Sequence, residues 1–163
     1  MGISALIQQI KRDTDIWQSP IHGLDHWERV KEFGLHIART TAADQAVVEY
    51  FAYLHDCQRW NEYDDPEHGP RAASYAVKNR NLIDLDDEQF RFLLRACSGH
   101  THAHPDGTAG ADPTLGACWD GDRLDIGRVG IRVDPYYLFT DCAKNLLVED
   151  ERLESFWLGQ CKD

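Results

Sequence analysis

The five cysteines, Cys57, Cys97, Cys118, Cys142 and Cys161, are an odd number and include no close pair. That argues against a disulfide framework and against a thiolate knuckle for structural zinc. Small buried thiols are the simpler reading. No apolar run approaches the roughly 20 residues of a membrane span. The first ten residues lack the basic stretch of a signal peptide, and Leu6 stands where a myristoylation motif needs Ser or Thr. A cytoplasmic protein with no membrane partner is therefore expected. Positive charge is scarce, with 17 Lys and Arg against 28 Asp and Glu and a net charge of −11. This argues against a nucleic-acid polymer as partner. It leaves room for a phosphorylated small molecule, provided that a metal ion supplies positive charge locally. Period-two alternation, hairpin dipeptides, internal repeats and low-complexity segments are all missing.

What remains is helical periodicity. Ile3, Leu6, Ile7 and Ile10 form one apolar stripe. After a break at 19–23, a second helix is predicted from about Leu24 to about Arg39, with His26, Val30, Phe33 and Ile37 inward. A third runs to His55-Asp56 with Val47, Val48, Phe51 and Leu54 inward. A fourth is opened by Glu67-His68-Gly69-Pro70, where Pro70 suits a first turn. A fifth starts at the capping pattern Asp86-Asp87-Glu88-Gln89 and ends at His100. A sixth is predicted over about Leu115 to Ile126, and a last over about Thr140 to Leu158 with Leu146, Leu147, Leu153, Phe156 and Trp157 inward. At 163 residues, the expectation is one all-α domain, 1–163, a bundle of about six or seven helices.

The stretch Tyr53-Leu54-His55-Asp56-Cys57 carries the chemistry. His55 falls on the apolar stripe of its helix, and Asp56 sits beside it, about 100° round at 3.6 residues per turn. A buried carboxylate is costly unless something pairs with it, and a metal ion would pair with both groups. His26 and His68 also lie on apolar stripes, His100 ends the fifth helix, and Asp120 shares a face with Ala117 and Leu124. A single inward histidine is commonplace; five inward positions together with the His-Asp doublet point to a metal. Mixed imidazole and carboxylate donors suit Mn, Fe, Co, Ni or Zn.

This order of residues resembles the HD-domain superfamily of metal-dependent phosphohydrolases, along nearly the whole chain from Gly23-Leu24-Asp25-His26 to Gly130-Ile131. Its core pattern is a histidine, a His-Asp doublet and a distal aspartate, matched in order by His26, His55, Asp56 and Asp120. His68 and His100 match the additional histidines of branches that hold a second metal. Trp119-Asp120-Gly121-Asp122-Arg123-Leu124-Asp125 is similar to the Asp-Ala-Asp-x-Leu-Asp segment of small bacterial members, with Gly121 in place of the usual Ala. Asp120 is preferred as the last ligand because it shares a face with Leu124, whereas Asp122 lies about 200° round the helix; Asp122 is the alternative. His102 and His104 are further candidates for a second ion.

The resemblance implies one or two divalent transition metals and hydrolysis of a phosphate ester, with nucleotides among the candidate substrates, by a metal-activated water. Asp56 would bridge, His26, His55 and Asp120 would hold one ion, and His68 and His100 the other. Arg71, three residues after His68, and Arg123 are candidates for gripping phosphate, with Arg29 a weaker one. Trp60 and Tyr63 could stack a base or simply line a rim. Two other readings stand beside this one: a di-iron oxygenase of the same fold, and a non-catalytic metal- or nucleotide-binding module.

Overall fold

The computed structural model describes residues 2–107 and 112–148. Among these residues there are seven α-helices and no strand: α1 Ile3–Asp13, α2 Leu24–Arg39, α3 Gln45–Leu54, α4 His68–Lys78, α5 Asp87–Gly99, α6 Pro113–Leu124 and α7 Asp141–Val148. Short 3-10 turns stand at Ile16–Gln18, Arg80–Leu82, Ile126–Val129 and Pro135–Tyr137. The all-α expectation holds.

Most helix starts follow local chemistry. The Asp44 carboxylate accepts from the Ala46 and Val47 N–H groups at the start of α3. Asp86 and Gln89 form a reciprocal capping box at α5. α6 begins two residues earlier than its apolar pattern suggests. Pro113 occupies its first turn, and the Asp112 carboxylate accepts from Thr114 and Leu115. α3 closes at Leu54, with His55 as its cap still in helical conformation. The part of the last predicted helix beyond Val148, with Leu153, Phe156 and Trp157, lies outside the described residues, as does Cys161.

α2 packs most extensively against α6 and α3, and α5 packs against α4 and α3. Two close approaches position the site. A Cβ at Gly121 would stand 2.9 Å from the Val30 carbonyl oxygen and 3.1 Å from Gly34 Cα, so α6 can sit against α2 only with glycine there. A Cβ at Gly69 would meet the Cys97 carbonyl oxygen at 2.5 Å and the His100 ring at 3.2 Å. The first contact carries Asp122 to His26; the second brings His68 to His100. The core between them is apolar and fully buried at Trp27, Ile37, Phe51, Leu54, Leu93, Leu115 and Leu124.

Candidate metal centre

His26, His55, His68 and His100 are all buried, and so is Asp56. They come from α2, the end of α3, the start of α4 and the end of α5. Their ligand atoms form two groups, His26–His55–Asp56 and Asp56–His68–His100, each with its atoms within 4.8 Å of one another. Asp56 belongs to both. Its Oδ1 is 2.9 Å from His68 Nε2 and 3.7 Å from His100 Nε2, and its Oδ2 is 3.6 Å from His26 Nε2 and 3.7 Å from His55 Nε2.

The other ring nitrogens decide what these four imidazoles can do. His55 Nδ1 donates to the Ala52 carbonyl at 3.0 Å, His100 Nδ1 to the Cys97 carbonyl at 2.8 Å, and His68 Nδ1 to the Asp65 carbonyl. His26 Nδ1 donates to the Asp125 carboxylate at 2.6 Å. A carbonyl or carboxylate can only accept, so each Nδ1 carries a proton, and in the neutral form each ring presents its lone pair at Nε2. Those lone pairs face one another: His26 and His55 Nε2 are 3.1 Å apart, and His68 and His100 Nε2 are 2.8 Å apart. Two facing acceptors beside a carboxylate repel unless a cation, either a proton or a metal ion, lies between them. The pattern of orienting carbonyls and a carboxylate behind imidazoles is the one that fixes metal-ligating histidines. The residues present therefore fit one or two transition-metal ions.

Charge in the cluster follows from its neighbours. Burial alone pushes the Asp56 carboxyl upward, but His55, His100, His22 and His68 together hold it well below the usual carboxylate range. Asp122 behaves likewise through His26 and His55. Burial pushes His26 down, yet Asp122 and Asp125 outweigh it and raise its affinity for a proton.

Several assignments need correction or completion. Asp120 is not in the cluster. Its Oδ1 accepts from the Phe139 N–H, and its Oδ2 from the Thr140 N–H and hydroxyl, so it anchors the segment leading into α7. α6 is buried on almost every side, so sharing a face with Leu124 does not identify the side that meets the histidines. The carboxylate that does is Asp122, with Oδ1 3.4 Å from His26 Nε2 and 3.6 Å from His55 Nε2. Arg71 is not at the site either. Its guanidinium bonds the Gln58 carbonyl and the Asp65 carboxylate and stacks on Trp60 at 3.8 Å. Asp65, inside the loop before α4, draws it away.

Arg123 does line the pocket in front of the cluster, a space of about 210 Å³. Its N–H groups, however, go to the Ala103 and Tyr137 carbonyls. Arg29 is bound to Asp125 at 2.7 Å. The other cations of the pocket are Arg59 and Arg128, which the sequence alone does not single out. Arg59 donates to the Asn61 and Tyr63 carbonyls, with its Nη1 also 3.3 Å from the ring nitrogens of His68, and Arg128 is oriented by the carbonyls of Ile21 and Asp125.

His22 was also missed. Its Nδ1 donates to Asp56 Oδ2 at 3.0 Å, from a turn in which the Ser19 hydroxyl accepts from the Ile21 and His22 N–H groups. The only signal was its spacing, four residues before His26. His102 and His104 stay outside the cluster. His104 packs instead on Tyr136 and Tyr137. Trp60 and Tyr63 are 78% and 86% exposed. Cys57, Cys97 and Cys118 are buried thiols whose pKa burial pushes well up.

No family model, curated protein or solved structure matches this chain.

Proposed function

We propose that this chain is a metal-dependent phosphohydrolase that cleaves a phosphate ester of a small molecule. One observation carries the reading: four Nε2 lone pairs converge on the two oxygens of one buried carboxylate. The resemblance to the HD-domain pattern agrees with it, once Asp122 takes the place of Asp120.

His26, His55 and Asp122 would hold one ion, His68 and His100 the other, and Asp56 would be shared. When bound, divalent cations supply water activation near neutral pH and neutralise charge on a phosphoryl group. The residues of the chain do the rest. The Ala52, Asp65 and Cys97 carbonyls and the Asp125 carboxylate keep the imidazoles in the tautomer that leaves Nε2 free to bind. His22 orients Asp56 through a hydrogen bond to Oδ2. Arg59 and Arg128, with guanidinium groups pinned by backbone carbonyls, stand at the pocket where phosphoryl oxygens would arrive. A planar guanidinium fork suits that contact. In a chain of net charge −11, such a local cationic lining gives an anionic substrate one favourable approach.

The test is turnover. Protein loaded with Mn, Fe, Co or Ni is offered phosphomonoesters, phosphodiesters and nucleotides. Cleavage of at least one class, abolished by Asp56→Asn, is expected. Stoichiometric metal with every ester left intact contradicts the proposal.

A further inference from the structure

A second cleft, of about 390 Å³, adjoins the metal pocket and shares Thr101, Arg123 and Ile126 with it. We infer that this cleft seats an aromatic ring in the organic part of the substrate. The inference rests on the phosphohydrolase reading for the phosphate end and adds the class of group attached to it.

The space in front of the cluster, about 210 Å³, has Asp56, His68, His100 and three arginines for walls. It suits a phosphoryl group. The cleft beside it differs in kind: Ala103, Ile126, Ile131, Val133 and the Tyr137 ring line it, and its size falls within the usual range for small-molecule pockets, about 300–1,000 Å³. Ile131 is 54% exposed and Tyr137 50%, so apolar surface at its edge is left to water and would be covered by a bound ring. One end is itself aromatic. The His104 ring meets Tyr136 and Tyr137 edge-on, at 5.2 and 5.8 Å between centroids, a surface that favours another ring over an alkyl chain.

Arg123 makes the cleft a preformed one. By bonding the Ala103 carbonyl on one wall and the Tyr137 carbonyl on the other, it fixes their separation. Arg132, at the rim, makes no hydrogen bond or ion pair among the described residues. Its guanidinium can lie over the face of an incoming ring.

The experiment uses the Mn-loaded protein and two ligands that cannot be hydrolysed, phenylphosphonate and methylphosphonate. Calorimetry gives Kd for each. Phenylphosphonate is expected to bind tighter by roughly tenfold or more, the scale of a hydrophobic pocket's discrimination. Ile131→Glu and Tyr137→Ala, both at exposed side chains, should remove most of that advantage. They should leave the methylphosphonate Kd and the metal content unchanged. Equal binding of the two phosphonates, or variants that weaken both alike, overturns the ring seat and leaves the metal-pocket reading standing. If neither phosphonate binds metal-loaded protein, both readings are overturned.

Discussion

Asp125 Oδ2 accepts from His26 Nδ1 at 2.6 Å across 99 residues of chain, and both side chains are buried. Its other oxygen accepts from Arg29 at 2.7 Å. Asp125 thus fixes which nitrogen of His26 faces the cluster while its own charge is balanced by Arg29. Loss of such an orienting partner typically weakens metal binding by about 10–100-fold. Asp125→Asn should show a fall of that size in chelator competition, with the helix content of the protein retained. An unchanged affinity would mean that His26 does not bind metal through Nε2.

Asp120 and Asp122 stand two residues apart and should fail in different ways. Asp122→Asn should lower metal affinity at the His26–His55 end with little change in metal-free stability. Asp120→Asn should keep its metal. It should lose about 1–3 kcal/mol of stability, because the amide cannot accept all three hydrogen bonds from Phe139 and Thr140. Urea midpoints and metal analysis on the same two proteins separate the cases; a reversed pattern would restore Asp120 as ligand.

The Asp65–Arg71 pair predicts an acid dependence. Burial alone pushes the Asp65 carboxyl up, but Arg71 and the Trp60 N–H hold it below its ordinary value. A depressed carboxylate contributes stability that is complete above its unfolded pKa, about 3.9, and is lost as pH falls through its lower folded value. Asp65→Asn should therefore be less stable than the native chain by about 1–2 kcal/mol near neutrality, since Arg71 is partly exposed to solvent. The gap should close below about pH 3.9. Denaturant titrations at several pH values measure it; a gap independent of pH would mean the pair carries no charge interaction.

Arg128 should act on substrate and not on metal. Arg128→Lys keeps the charge but loses the fork held by the Ile21 and Asp125 carbonyls. It should raise KM for a cleaved ester with ion content unchanged. Arg71→Lys, away from the pocket, should leave KM where it was. Equal effects from the two would show that the pocket arginines do not meet the phosphate.

Much of this was legible in the chain because helices advertise their inner face. His26, His55 and His68 were visible as polar residues on apolar stripes, and Asp56 as the neighbour of His55. The capping residues of α5 and the proline of α4 marked their starts. The remaining groups lie where periodicity is silent. His22 sits in a turn, Arg59 in the irregular stretch between α3 and α4, and Arg128 in a 3-10 turn. Asp122 lies in a helix buried on nearly all sides and Asp125 just past its end, so a stripe cannot say which side faces α2. That was settled by Gly34 and Gly121, whose lack of side chains lets α6 approach α2. Arg71 was misread for the same reason: its spacing from His68 was right, but Asp65, a partner in the preceding loop, decided where the guanidinium went.

The most direct measurement is elemental analysis of the protein after reconstitution and desalting, for the native chain beside His55→Ala, His68→Ala and Asp56→Ala. Two ions per native chain, one in each histidine variant and a large loss in Asp56→Ala are expected. A folded native chain that retains no ion, and whose thermal stability is indifferent to added metal, would contradict the account.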